Sequence, residues 1–390
     1  MTTVKVSRKG AARITSGHPW VFRSDLIKDP VAEPGEIVEV HDERGKFLGA
    51  GHYSSTSQIA VRLLTTRREE VGRDLYLRRL RQAIRHREQM VRNSDAYRLV
   101  FSEADLLPGL IVDKYGPYLV LQSLTQGMDR AQPEIVECLT ELLAPAGILA
   151  RNDASVRRLE NLPQGTKVIA GDIPERVTIQ MNGLALAADL LRGQKTGTYL
   201  DQRENYVAAV RYAHGKVLDC FSSTGGFALH LAKHVESVDA VESSPLAIET
   251  AKANAAANGI SNIEFRQADV FDYLSGRREA EHNKAQYSTI ILDPPAFAKS
   301  RKQIDAAARG YKDINVRALR MLELGGILVT CSCSHHISEA MLLEIVAEAS
   351  LDAGKTLRIL ERRTQASDHP ILLTVPETLY LKCLIFEVIS

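Results

Sequence analysis

The stretch KVLDCFSSTGGFALHLAKHVESVDAVESSPLAIETAKANAAANG, residues 216–259, decides the fold. It opens with a compact apolar strand, breaks at Gly225-Gly226, enters a helix, returns through the strand SVDAVES (237–243), and closes on an alanine-rich helix. The alternation continues downstream with IEFRQAD (263–269), STIILDPP (288–295) and GGILVTCSCS (325–334) as third, fourth and fifth strands. Strands separated by helices must pair in parallel through right-handed crossovers, which predicts an α/β, doubly wound, Rossmann-like sheet. Ligands of such sheets bind beyond the carboxyl ends of the strands. The tail, ILLTVP (371–376) followed by TLYLKCLIFEVI (378–389), reads as a closing antiparallel hairpin at the sheet edge.

The grammar upstream of residue 190 is different. VKVS (4–7), GEIVEVHD (35–42), KFLGAGHYS (46–54) and IAVRLLT (59–65) are short, closely spaced strands, which predicts a small barrel over residues 1–68. Residues 69–189 read as a central α+β domain. It comprises a helix near 72–93, strands on either side of the Tyr115-Gly116-Pro117 turn, a helix near 131–143 and strands near 147–151 and 167–170. The hairpin VTIQMNGLALAAD (177–189) completes it, with Asn182-Gly183 at its turn. Residues 190–390 form the Rossmann-like domain.

The 390 residues are 45% hydrophobic and 25% charged, with no apolar run approaching the roughly 18 residues a bilayer-crossing helix needs. The first thirty residues lack an apolar export segment, so a cytoplasmic location is expected, with no membrane partner. Five cysteines without a CxxC pair argue for free thiols and against a zinc site. Net charge is +1, yet residues 1–98 carry 19 Lys and Arg against 12 Asp and Glu. The arginine-rich helix RRLRQAIRHREQMVR (78–92) is either a phosphate-binding face or a solvated one.

Chemistry gathers at the strand ends. Asp219, Glu242 and Asp269 close three successive strands beside the loop Ser222-Ser223-Thr224-Gly225-Gly226, a pattern that fits a nucleoside: Glu242 for ribose hydroxyls, Asp269 for an adenine amine. The glycine spacing is not GxGxxG, which argues against a dinucleotide. Asp293 ends the fourth strand, and Pro294-Pro295 fix the backbone after it, with Phe297 placed to stack on a base or to sit in the core. The fifth strand ends in Cys331-Ser332-Cys333-Ser334-His335-His336, where a thiolate can act as nucleophile if nearby positive charge lowers its pKa.

These motifs resemble those of class I S-adenosylmethionine-dependent methyltransferases. GQKTGTYLDQREN (193–205), EADLLPGLIVDKYG (103–116), ARNDASVR (150–157) and GHPWVF (17–22) more narrowly resemble bacterial large-subunit (23S) ribosomal RNA cytosine-C5 methyltransferases with an N-terminal PUA domain. The resemblance implies Cys333 as catalytic thiol with Asp293 beside it, and S-adenosylmethionine as cofactor. Asp219, Ser222, Gly225, Gly226, Glu242, Asp269 and Asp293 would cradle that cofactor, with a lid from Gln194, Lys195, Thr196, Gly197, Asp201 and Arg203. Pro294, Pro295, Phe297, Arg13 and Arg23 would meet RNA. Expected partners are 23S ribosomal RNA or an assembling large subunit, and a second copy of the chain as a homodimer. Ser223 and Met181 depart from the family's Tyr and acid, and no cysteine follows the Pro-Pro pair. The rival readings are a guanine or adenine methyltransferase using DPPAF without a thiol, and a non-catalytic RNA-binding ribosome assembly factor. Removing residues 1–68 is expected to weaken RNA affinity and flatten its salt dependence in filter-binding titrations, while cofactor affinity stays nearly unchanged.

Overall fold

A computed structural model describes residues 1–193, 195–280, 286–298 and 300–390. The chain divides into two compact units. One holds Met1–Ile179, Ala188–Thr198 and Ser367–Thr378, and the other Gln180–Ala187, Tyr199–Ala366 and Leu379–Ser390. Among the described residues no helix is long and apolar enough to cross a membrane.

The first unit opens with β1 (Thr2–Lys5), α1 (Arg8–Thr15), β2 (Trp20–Phe22), β3 (Ile37–His41), β4 (Phe47–Tyr53) and β5 (Ile59–Thr65). The strands form one sheet in the order β1-β3-β4-β5-β2. Side-chain alternation buries Val38 and Val40 of β3 together with Val4, Val21 and Val61. Helix α1 is too short for its apolar period to be legible in sequence; Ser7 caps it by accepting from the Gly10 N–H at 3.3 Å.

Next come α2 (Arg73–Met90), β6 (Ala96–Phe101), β7 (Leu110–Tyr115), β8 (Tyr118–Ser123), α3 (Gln126–Leu143), β9 (Gly147–Asn152) and β10 (Gly165–Gly171). Their sheet runs β10-β9-β8-β7-β6. The arginines of α2 split by burial. Arg87 is sealed in, forking onto Asp105 at 2.5 and 2.7 Å and donating to the Arg98 and Asp368 carbonyls. Arg79 donates to the Leu64 and Leu106 carbonyls, and burial pushes its pKa down to about 10. Arg78 pairs with Glu69 and Arg73 with Glu141, while Arg85 and Arg92 are exposed.

The second unit carries α4 (Arg203–Val210), β13 (Lys216–Cys220), α5 (Gly226–Ala232), β14 (Ser237–Glu242), α6 (Pro245–Ala257), β15 (Ile263–Gln267), α7 (Val270–Ala280), β16 (Tyr287–Leu292), α8 (Ile304–Met321), β17 (Leu322–Ser332), α9 (Glu339–Ala353), β18 (Leu357–Arg363) and β19 (Lys382–Val388). Ahead of it in sequence lies the hairpin β11 (Val177–Met181) and β12 (Leu184–Ala188), whose turn is Asn182-Gly183 with φ of 52° and 81°. Asn258 and Asn254 accept from the Ala185 and Ala187 N–H groups, so this hairpin closes on α6 and its C-terminal turn.

Seven strands make one sheet, β15-β14-β13-β16-β17-β19-β18, parallel except for β19. Its central strands are buried on both faces, as a parallel sheet covered by helices requires. Tyr311, Ile314, Ala318, Leu342 and Val346 of α8 and α9 cover Ile290, Leu292, Leu328, Leu384 and Phe386 in one core.

The expected tail hairpin is corrected. Residues 371–376 form no strand, and the antiparallel partners of β19 are β17 and β18. Lys382–Phe386 are buried without alternation and suit an interior strand, whereas Leu373 is 94% exposed and Pro376 lacks an N–H to donate.

Two buried histidines set an acid limit. His230 lies between hydrogen bonds to the Gly226 carbonyl (2.7 Å) and Asn182 Nδ2 (3.2 Å), and burial pushes its pKa down to about 4. Asn182 Nδ2 is a donor, so His230 Nε2 accepts and the ring is neutral with its proton on Nδ1. Burial brings His52 to about 3. Folded-state values below the unfolded one mean stability is complete above pH 6.5 and lost as pH falls toward 4. The urea-unfolding midpoint should therefore drop between pH 7 and pH 5, on the order of 1 kcal/mol per pH unit for each histidine. A constant midpoint would contradict this.

Candidate active site

Three parallel strands in register bring the acidic residues to one edge. Asp219 of β13 pairs with Ile291 of β16, and Leu292 pairs with Thr330 of β17, so Asp293 and the Ser332-Cys333 turn follow at the same end of the sheet. Beyond β13 the chain turns sharply: Phe221, Ser223 and Gly225 have φ of 62°, 48° and 89°. Non-glycine residues rarely hold such angles outside sites that need them. Ser223 N donates to Glu242 Oε2 at 3.0 Å and Ser244 N to Oε1 at 2.8 Å, tying this loop to the end of β14.

Asp219 is buried, and its Oδ2 accepts from the Ala228 N–H at 2.9 Å. Burial pushes its pKa well above the carboxylate range, helped by the charges of Asp293 and Glu242. Asp219 Oδ1 and the Ser222 hydroxyl are buried without a hydrogen-bond partner among the described residues. Such atoms are costly unless something occupies them, and a polar nucleoside would. The residues therefore fit an adenosyl cofactor.

The two glycines of this loop serve different local needs. Gly225 supplies the left-handed turn into α5, and a Cβ on Gly226 would lie 2.4 Å from the Tyr206 hydroxyl. Tyr206 stacks on His230 at 4.8 Å and meets Phe227 edge-on.

Asp293 is held by a chain of hydrogen bonds whose direction is determined. Arg363 Nε can only donate and does so to Asn205 Oδ1 at 2.9 Å. Asn205 Nδ2 therefore donates to Gln202 Oε1 at 2.7 Å, and Gln202 Nε2 donates to Asp293 Oδ1 at 3.0 Å. Asp293 Oδ1 is thus an acceptor. The Tyr199 phenol interacts with Asp293, Asp201, Cys333 and Glu242, and burial with these charges drives its pKa upward.

Cys333 lies one residue past the end of β17 and is partly exposed, while the other four cysteines are buried. Cys331 faces Cys383 across the β17–β19 ladder, and burial raises its thiol pKa well above the usual value. The alternation that would aim Cys331 and Cys333 alike ends with the strand at Ser332.

Several predicted residues have other engagements. Asp269 is exposed and accepts from the N–H groups of Phe271 and Asp272 at 2.8 and 3.2 Å, capping α7. Asp201 is buried and accepts from the Tyr380 hydroxyl at 2.7 Å. Arg203 is buried beside Glu204. Thr196, in the first unit, donates to Asp113 at 2.5 Å and meets the Tyr115 hydroxyl at 2.9 Å; Lys195 is exposed, and Gln194 lies outside the described residues.

Arg13 pairs with Asp25 and lies over the Phe22 ring, and Arg23 donates to the Ser54 and Ser57 carbonyls and to Asp29. Trp20 Nε1 donates to Glu103 at 2.8 Å. Pro294 is buried and Pro295 exposed. Phe297 packs on Tyr311 (4.7 Å) and Phe271 (5.9 Å), the core alternative. His335 packs on Tyr380.

Sequence reasoning overlooked Gln202, Asn205, Tyr199, Tyr206 and Lys382. Tyr199, Gln202 and Asn205 lie within the GQKTGTYLDQREN motif, and Lys382 stands out as one of two charges, with Glu387, in the otherwise apolar β19.

The seven-stranded doubly wound sheet and the family profile together define a class I S-adenosylmethionine-dependent methyltransferase. The profile of S-adenosylmethionine-dependent methyltransferases matches residues 123–387, and that of PUA-like domains matches residues 4–66. The chain is 40% identical over 402 residues to the ribosomal RNA large subunit methyltransferase I of Tolumonas auensis, covering 100% of both. It is 42% identical over 377 residues to that of Aliivibrio fischeri strain MJ11, covering 94% of both. The chain belongs to this ribosomal RNA large subunit methyltransferase I family. In fold it is similar to SMU.776, solved with SAH, at a TM-score of 0.86 and 20% identity over all of both chains.

Gly226→Ala should lower the thermal unfolding temperature by the equivalent of about 1–3 kcal/mol, because Tyr206 is held on two sides and cannot yield freely. An unchanged melt would show that Tyr206 moves without cost.

Proposed function

We propose that this chain methylates C5 of a cytidine in large-subunit ribosomal RNA through a covalent bond between Cys333 and C6 of the base. The observation that carries this reading is the position of Cys333, the one cysteine that is not buried, at the sheet edge that bears Asp293. The curated relatives act, by their names, on ribosomal RNA of the large subunit.

C5 of cytosine is a weak nucleophile, since ring nitrogens and the carbonyl withdraw its electron density. A Cys333 thiolate adding at C6 turns C5 into an enamine carbon; S-adenosylmethionine, when bound, would supply the electrophilic methyl, its S–CH3 bond breaking to leave S-adenosylhomocysteine as the C5–CH3 bond forms. A base then removes the C5 proton, and the C6–S bond breaks to return the thiolate. No thiol follows Pro294-Pro295, so that base is not a second cysteine. Asp293, an acceptor at Oδ1, holds the exocyclic amine and orients the ring.

On the cofactor side, Asp219 and Ser222 would hold the cofactor through their unpartnered polar atoms, Glu242 would take the ribose hydroxyls and Asp269 the adenine amine, with Gly225-Gly226 in the loop beside them. Roles for Lys195, Thr196 and Asp201 in a lid, and for Arg13 and Arg23 on RNA, rest on the family resemblance. The rival, amino-group methylation by DPPAF, needs no thiol and gives the reachable position of Cys333 no role.

The test is Cys333→Ala, assayed on large-subunit ribosomal RNA by nucleoside mass spectrometry, with SAH affinity measured by calorimetry. The expected result is no 5-methylcytidine and unchanged SAH affinity. Continued methylation of cytidine at C5 would remove the covalent step, and methylguanosine or methyladenosine as product would move the reaction to the rival class.

A further inference from the structure

The turn that carries Cys333 is pinned from two sides. Ser332 Oγ donates to the Tyr311 hydroxyl at 2.9 Å, and that hydroxyl meets Ser334 Oγ at 3.1 Å, so α8 grips the residues before and after the cysteine. From β19, Lys382 lies directly across from Ser332 in the ladder. Its Nζ donates to the Ser334 carbonyl at 2.7 Å and to the Tyr380 carbonyl at 2.8 Å. Lys382 is only 4% exposed.

An ammonium has three N–H donors, and a buried one normally pairs with a carboxylate. Among the described residues Lys382 makes no ion pair, and its two hydrogen bonds go to neutral carbonyls. A charge buried at that cost, one residue from a partly exposed thiol, is placed for an anion that forms at that thiol.

We propose that Lys382 is a positioning residue that holds Cys333 as its thiolate by its charge. The inference rests on Cys333 being the nucleophile of the proposed reaction. The thiol proton leaves to solvent and Lys382 stays an ammonium; no electrons are transferred in this step.

Titratable groups that interact with Cys333 include Lys382 from β19, Tyr311 from α8, and Tyr199 ahead of α4, and the Asp293 carboxylate, which interacts with Tyr199, lies at the same sheet edge. Both phenols have pKa values raised by burial and are neutral at pH 7, which leaves Lys382 as the cation among them. Burial lowers the Lys382 pKa to about 8 and interaction with the Cys333 anion opposes that fall, so the ammonium persists at neutral pH. The coupling is mutual: the cation lowers the thiol's pKa as the thiolate raises the lysine's.

The experiment is the pH dependence of Cys333 alkylation by iodoacetamide in the full-length protein, read by mass spectrometry of the modified peptide. Four buried cysteines make Cys333 the site that reacts first, and Cys333→Ser gives the background. The wild-type midpoint is expected below the ordinary thiol value of about 8.5.

Lys382→Gln keeps donors for the carbonyls but removes the charge, and should raise the midpoint by about one unit or more, slowing alkylation at pH 7 roughly tenfold. Lys382→Arg should restore the low midpoint. A Lys382→Gln midpoint equal to the wild type would overturn the proposal. Should Lys382→Gln fail to give a cooperative melt, the wild-type profile decides alone, and a midpoint at or above about 8.5 rejects the thiolate. Methylation by Cys333→Ala would instead defeat the reaction proposed above while leaving this thiol measurement intact.

Discussion

The second unit depends on one constraint: parallel strands β13, β16 and β17 pair in register, so the chemically useful side chains gather at or just past the last rungs of their strands. Parallel ladders cannot be closed by tight turns, and each strand hands the chain to a loop at the same edge. Asp219, Asp293 and Cys333 come together because Asp219 pairs with Ile291 and Leu292 with Thr330. A one-residue slip would turn the entire set to the other face of the sheet.

Crowding acids at that edge has an electrostatic cost, visible in Asp219, whose pKa is raised by burial and by Asp293 and Glu242. The structure offsets it with directed donors. The Ala228 and Ser223 N–H groups serve Asp219 and Glu242, and Gln202, oriented through Asn205 by Arg363, serves Asp293. Arg363 is itself tied to Glu361, which also receives Arg211 and Tyr212. One donor-only guanidinium on β18 thereby sets the polarity of an amide relay that ends in the site.

The first unit uses charge in the opposite way. Its basic excess reads as a surface for polyanions, but burial consumes much of it: Arg87 and Arg157 are among the most deeply buried side chains, and Arg13, Arg23 and Arg79 bond to backbone or carboxylate oxygens. A guanidinium with five donors joins segments that lack their own backbone pairing. Counting arginines therefore overstates the charge left to face an RNA backbone.

The sequence alone determined the α/β alternation, the strand-end acids and the Asn182-Gly183 turn, because each depends on local period or on a residue type with one conformational habit. The partner of β19, the separate fates of Cys331 and Cys333, and the commitments of Asp201, Asp269 and Thr196 were decided only by tertiary structure. So was the placement of Lys382 against the Ser334 carbonyl, one residue from the thiol. Such facts depend on which strand lies beside which and on what remains within reach of water. Residues 331 and 333 are of one type in one short run; the point at which the ladder ends separates a sealed thiol from a reachable one.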